Sequence, residues 1–247
     1  MKSQLIIEKK LGISGDYQYR ALRSKNFLQS NWHYNKLQAL RILLNLNKNL
    51  KVLDLGIGSG NFEFEFAGQV QEITGVDYND EAIIFAKDQL TKLKIKNVDL
   101  ITDDIRNITK VIKLKKFDLI LFIDIIEHLR FKDARRVIRN LRTLLKKNGR
   151  VCVITPNYNS PWHLIEVILD KIQVLPKLKG EQHLAKFHRT NLTQLFKSER
   201  YKTEVYTTFN LFSYLVPNKT LSTLLLRLEL HNLLHGGNLL LGIFRKE

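Results

Sequence analysis

Sulfur is nearly missing from this chain, which has one cysteine, Cys152, and one methionine among 247 residues. A lone cysteine excludes an internal disulfide, and no Cys/His spacing of the structural-zinc kind occurs. Reducing, cytoplasmic conditions are therefore the expectation. Long apolar runs are missing too: none reaches the roughly 18 uncharged residues that a membrane-spanning helix needs. At the start of the chain, Leu5, Ile6 and Ile7 stand alone among Lys2, Glu8, Lys9 and Lys10, too short a core for a signal peptide. No internal repeat or low-complexity tract is visible. Acidic residues are the remaining shortage, with 24 Asp and Glu against 40 Lys and Arg, a net charge of +16. That excess suits nucleic acid or an anionic membrane surface. Most of the bases, however, are lysines in a chain also rich in Asn, Ile and Leu. General residue bias explains the charge first.

What is present is an ordinary globular composition, 44% hydrophobic and 26% charged, in a length that buries one substantial core. From residue 51 onward, short apolar runs alternate with helical patterns, the signature of a parallel sheet covered on both faces. Strands are predicted over 51–55, 72–77, 98–101, 117–123 and 150–155, and helices over 61–68, 80–93, 106–114 and 132–147. The last helix sets Ala134, Val137, Ile138, Leu141, Leu144 and Leu145 on one face. Arg135, Arg136, Arg139, Arg142 and Lys146 form a basic stripe on the other, expected to be solvated. The organisation expected is a helical N-terminal cap over 1–49 and a main domain over 50–247 with insertions at 156–188 and 210–235. The first insertion carries a helix near 163–175 closed by Pro176. Trp162 and His163 begin it as a lid anchor. The second insertion carries an apolar helix over 221–234, whose Arg227, Glu229 and His231 are spaced like a solvated face, so ordinary packing is expected of it. A helix over 190–198, a strand over 203–208 and a strand over 239–244 complete the chain.

The strongest motif is Val52-Leu53-Asp54-Leu55-Gly56-Ile57-Gly58-Ser59-Gly60-Asn61-Phe62. An apolar strand ends in an acid, and three glycines alternate into a helix. Side chains there would block a ligand's approach to the backbone. A nicotinamide-binding turn wants its third glycine where Asn61 stands, and no Gly-Lys-Ser/Thr ending follows, so the turn suits a nucleoside without a pyrophosphate. A second strand closes on Asp77, 21 residues after Gly56, placed to accept both ribose hydroxyls. Asn79 or Asp80 is the better cap for the helix that follows. The third strand ends at Asp103-Asp104-Ile105, where Asp104 can receive an adenine amino group and Ile105 can pack on the ring. The fourth ends in Ile123-Asp124-Ile125-Ile126-Glu127-His128-Leu129. His128 lies just past it, and an imidazole is suited to take a proton near neutral pH. An equal reading makes Glu127 and His128 organisers of the loop.

In this order and spacing, Asp54-Leu-Gly-Ile-Gly-Ser-Gly60, Asp77, Asp104 and Phe117-Asp118-Leu119 through Asp124-Ile-Ile-Glu127-His128-Leu129 resemble class I S-adenosylmethionine-dependent methyltransferases over about 51–156. Further on, Gln182-His183-Leu184-Ala185-Lys186-Phe187 resembles the substrate-side motif of the small-molecule branch, which includes the ubiquinone-pathway O-methyltransferases. The resemblance implies a doubly wound, Rossmann-like α/β fold with a seven-stranded, mostly parallel sheet and an antiparallel last strand. It implies S-adenosylmethionine as cofactor, held by Asp54, Gly56, Ile57, Gly58, Gly60, Asp77, Tyr78, Asp104, Ile105, Ile123 and Asp124, with His128 as catalytic base. Asp-x-x-Glu-His also resembles the Glu-x-x-Glu-His of metal-using small-RNA 2′-O-methyltransferases. Here the first acid is Asp, and the paired downstream histidines reduce to His183 beside Ala185, so no metal is expected. His183 and His188 flank Phe187, and a structural or lid role is expected for one of them.

The acceptor expected is a small molecule, methylated on oxygen or carbon: a lipid, a quinone precursor or a glycan-linked metabolite. RNA is the alternative partner, and a non-catalytic cofactor-binding protein the third reading. Thr155-Pro156-Asn157-Tyr158 lies after the fifth strand and lacks a double proline, which argues against methylation of base amines. The leucines of the second insertion either wall an apolar cavity, touch a membrane surface peripherally, or complete the core.

Overall fold

The computed structural model describes residues 14–112, 115–161, 183–234 and 236–247. The expected helix near 163–175, with Trp162, His163 and Pro176, lies outside them. Strands run at β1 Lys51–Leu55, β2 Glu72–Asp77, β3 Val98–Thr102, β4 Phe117–Ile123, β5 Leu145–Pro156, β6 Tyr201–Phe209 and β7 Leu239–Lys246. They form one sheet in the order β3-β2-β1-β4-β5-β7-β6. The first five are mutually parallel, and β7 pairs antiparallel with both β5 and β6. The helices are α1 Tyr17–Leu22, α2 Phe27–Leu43, α3 Asn61–Phe66, α4 Asp80–Lys92, α5 Ile108–Ile112, α6 Phe131–Leu144, α7 Arg189–Ser198 and α8 Lys219–Leu230.

Alternation along the central strands divides the core between two faces. Leu53, Leu55, Ile120, Phe122, Val151 and Val153 pack with α5, α6 and α7. Val52, Leu119, Leu121, Cys152 and Ile154 face the other way, toward α2, α3 and α8. Both faces of these strands are apolar because both are covered. Cys152 is fully buried there, and burial pushes its thiol up to about 12, so it is a small core residue and no nucleophile. The asparagines have local work: Asn26, Asn79 and Asn218 each accept a backbone N–H at the start of α2, α4 and α8.

Two expectations about helices change. The helix predicted over 132–147 ends at Leu144, because Leu145 already pairs with Phe117 in the sheet. Lys146 therefore leaves the basic stripe and pairs with Asp118. Within the stripe, Arg139 donates to both carboxylate oxygens of Glu199, tying α6 to the end of α7. In α8 the solvated face expected of Arg227, Glu229 and His231 is only partly present. Glu229 is fully buried, and it is Leu221, Leu224 and Leu228 that face outward. Tertiary hydrogen bonds to Glu229, invisible to periodicity, turn this helix.

The strand order reverses between β1 and β4. In an open α/β sheet, the crevice beyond the carboxyl ends of two such strands is where ligands bind.

Candidate active site

The turn after β1 forms one wall of this crevice. Gly56, Gly58 and Gly60 all have positive φ, at 76°, 52° and 81°. All three are further restricted by neighbours, Gly60 by the Phe64 ring, 2.9 Å from where its Cβ would lie. A Cβ on Gly56 would lie 2.1 Å from the Ile125 side chain on the loop after β4, and one on Gly58 would lie 2.7 Å from the Gln18 side chain. The turn is pinned to β2, since the Gly56 N–H donates to the Val76 carbonyl at 2.7 Å. Ile57 packs its side chain among Ile83, Ala86, Leu90 and Leu100, and its carbonyl accepts the Gly60 N–H at 3.0 Å.

Asp77 ends β2 beside this turn. Its Oδ2 accepts the Gly58 N–H at 2.8 Å and its Oδ1 accepts the Asn79 N–H at 2.9 Å. Asn79, not Asp77, caps α4. Tyr78 follows at the strand end, half-buried. Burial raises the Asp77 carboxyl above the usual range, partly countered by those backbone donors. Beneath the turn lies an acid pair. Asp54 is buried on β1, and Glu63, fully buried on α3, has no donor for either carboxylate oxygen. Burial raises Asp54 to about 7 and lifts Glu63 well above the ordinary range, with the neighbouring carboxylate adding to the latter shift.

At the far side of β2, Asp104 accepts the backbone N–H and the guanidinium of Arg106 through both oxygens. That pairing holds its carboxyl below the usual range despite the opposing effect of burial. Ile105 is buried within the core layer. Sequence reasoning placed Asp104 correctly at the strand end and missed Arg106 as its competitor.

The loop after β4 forms the opposite wall. Ile123 is half-buried at the strand end, and Asp124 adopts a positive φ of 53° while its N–H donates to the Ile154 carbonyl at 2.9 Å. Asp124 pairs with the buried ammonium of Lys36, which α2 delivers from 88 residues away in sequence. His33, one turn before Lys36, is half-buried; burial first, then Lys36, lowers its imidazole to about 3. Glu127 is buried, accepts the Thr155 hydroxyl at 2.9 Å, and is raised to about 8 by burial and by Asp124. His128 packs edge-on against His183, with ring centroids 5.1 Å apart. His183 also bonds the Tyr158 hydroxyl. Burial and the neighbouring His128 lower His183 to about 4. The histidine expected to be structural therefore divides into two cases: His188 starts α7, whereas His183 joins the cluster around His128. Glu127, His128 and His183 each bring a ligand atom within 4.8 Å of the others, an arrangement able to hold a divalent cation. Among the residues missed by sequence reasoning, Lys36, His33 and Gln18 belong to a helical segment with no motif of its own.

A glycine turn and strand-end acid facing an acid- and imidazole-lined loop across a switch point define a nucleoside-binding α/β transferase. Comparison with known proteins makes this specific. The model for a methyltransferase domain matches residues 46–212, and the chain belongs to that family, the class I S-adenosylmethionine-dependent methyltransferases. A curated relative, a ubiquinone biosynthesis O-methyltransferase of Coxiella burnetii, is 30% identical over 129 residues, covering 51% of this chain and 52% of its own. The chain thus spans about half the length of the curated relatives it matches. Among solved structures, magnesium protoporphyrin IX methyltransferase from Synechocystis PCC 6803 with bound S-adenosylhomocysteine superposes with TM-score 0.67 at 14% identity, covering 99% of this chain and all (100%) of that one. The N-methyltransferase NodS of Bradyrhizobium japonicum WM9 gives TM-score 0.60 at 14% identity, covering 98% and 97%. At such identities the structures share the fold. Among the described residues, no helix is long and apolar enough to cross a membrane.

Proposed function

We propose that this chain transfers the methyl group of S-adenosylmethionine to an oxygen or carbon of a small-molecule acceptor, with His128 as the base. The residues present fit that cofactor. Gly56, Gly58 and Gly60 hold the turn after β1 at positive φ that a side chain would strain, and Asp77 ends β2 beside that turn, where its carboxylate can accept ribose hydroxyls. When bound, the cofactor supplies an activated methyl group on a positively charged sulfur. The protein's task is then to align an acceptor and remove its proton.

The observation that carries the reading is the cluster across the crevice from the glycine turn. Burial raises Glu127 to about 8 and lowers His183 to about 4, so near neutral pH these two neighbours of His128 are largely uncharged. Lys36 supports the acceptor side by holding Asp124 as a fixed anion. An apolar ring bearing a hydroxyl group, such as a quinone precursor, fits the branch to which the curated relatives belong. Transfer of a radioactive methyl group into a cell extract tests this. Label in the organic or small-molecule fraction, lost with Asp77→Ala, is the expected result; label in no fraction at all would refute it.

A second reading has its own observation. The proximity of Glu127, His128 and His183 and the basic excess together suit metal-assisted 2′-O-methylation of RNA. Label confined to the nucleic-acid fraction and abolished by a chelator would select it.

A further inference from the structure

Helix α8 turns polar residues inward and leucines outward. Its buried face holds Ser222 and Glu229 beside Leu226 and Leu230. The Glu229 carboxylate accepts the N–H groups of Asn210, Phe212 and Ser213 and the Ser213 hydroxyl, all at 2.8–2.9 Å. Ser222 donates to the Ser213 carbonyl at 2.8 Å and to the Asn35 side chain at 3.2 Å. Rolling the helix to bury its leucines would strand these donors and a charge inside the protein, so its rotation is locked.

The outward stripe is Leu221, Leu224 and Leu228, which are 48%, 56% and 37% exposed. It continues onto Phe212 and Leu215 of the adjoining turn and onto Phe27 at the start of α2, all exposed. The three elements are joined rigidly: the Asn31 amide donates to the Tyr214 and Val216 carbonyls, and the Lys219 ammonium donates to Asn31 and Ser30. Eight of the twelve exposed large apolar side chains among the described residues lie on these segments and the turn after α8. A monomer in water rarely leaves such a continuous patch uncovered.

Charge decides what covers it. Residues 17–53 contain no Asp or Glu, and in 205–246 the sole acid is Glu229, which is buried. Lys219 and Arg227 stand exposed on the same helix as the leucines, and Arg23 and Lys25 stand exposed just before α2. We propose that this face docks on an anionic lipid bilayer, with the leucine stripe in the interface and the cations at the headgroups. A second copy of the chain fits less well, because an isologous contact would bring the same cations together with no carboxylate between them. The proposal does not rest on methyl transfer.

Flotation of the full chain with vesicles tests it without any turnover. The expected result is binding to phosphatidylcholine vesicles containing phosphatidylglycerol, weak binding to pure phosphatidylcholine, and release by salt. Leu224→Asn with Leu228→Asn should lower partitioning roughly tenfold, and Arg227→Glu should weaken it without touching the apolar stripe. Thermal unfolding of each variant checks that the fold is retained. Equal binding to both vesicle types, binding to neither, or binding indifferent to these substitutions would overturn the proposal. So would a concentration-dependent dimer in light scattering that the leucine substitutions dissolve while vesicles remain unbound.

Discussion

Asp77→Asn preserves the shape of the side chain and changes only its charge and one of its acceptors. In the free protein, Oδ1 accepts the Asn79 N–H and Oδ2 the Gly58 N–H, with the Tyr78 N–H as a further backbone donor. An asparagine keeps one of these bonds and turns a donor toward the other, which costs about 1 kcal/mol of folding stability. The larger effect falls on the cofactor. Two ribose hydroxyls donating to a carboxylate contribute about 1.5 kcal/mol each at the lower end for charged acceptors. Losing one of these bonds and making the other a neutral one costs about 2 kcal/mol, on the order of a 30-fold weaker Kd. Titration calorimetry of S-adenosylhomocysteine into wild type and variant reads this directly, and urea unfolding of the free proteins separates the stability cost. Affinity within about threefold of wild type, in a variant that folds, would refute the ribose role of Asp77.

The base role predicts that His128→Gln slows methyl transfer roughly 10²- to 10⁴-fold while S-adenosylhomocysteine binds as before. Equal rates would return His128 to a purely structural place. The buried acid pair predicts a pH dependence. Because Asp54 and Glu63 have folded pKa values above their unfolded ones, their contribution to stability is fully present below about pH 4 and falls as pH rises through the folded values. Glu63→Gln removes the share of that fall due to Glu63, so its melting temperature should gain on wild type as pH rises above about 4; a gap that stays constant with pH contradicts a raised Glu63. Glu229→Ala leaves three buried backbone donors without an acceptor and should cost about 3 kcal/mol or more in denaturant unfolding. A change below about 1 kcal/mol would mean that water replaces the carboxylate.

Much of the scaffold was legible along the chain because its signals are local. Strands at 51–55, 72–77 and 117–123 have the predicted limits, since covered strands are apolar on both faces and end where acids or glycines begin. Gly56 and Gly58 announce their backbone conformation by residue type, and Asp77 announces itself by ending a strand. Even the antiparallel entry of β7 was legible, through the family that the motifs resemble. Other features depend on distance in sequence. Lys36 meets Asp124, and His183 meets His128, only because α2 and the segment before α7 converge on the end of β4. The burial of Glu63 beside Asp54, which raises its pKa, is a property of the space between α3 and β1. Periodicity could find the leucines of α8 but could not say which way they face. Residue order along this chain determined the strands, the glycine turn and the cofactor-side acid, because each depends on backbone geometry and near neighbours. Tertiary structure alone decided the charge state of the buried acids, the partners of His128 and the outward turn of α8, because desolvation and hydrogen-bond satisfaction depend on what the fold brings alongside.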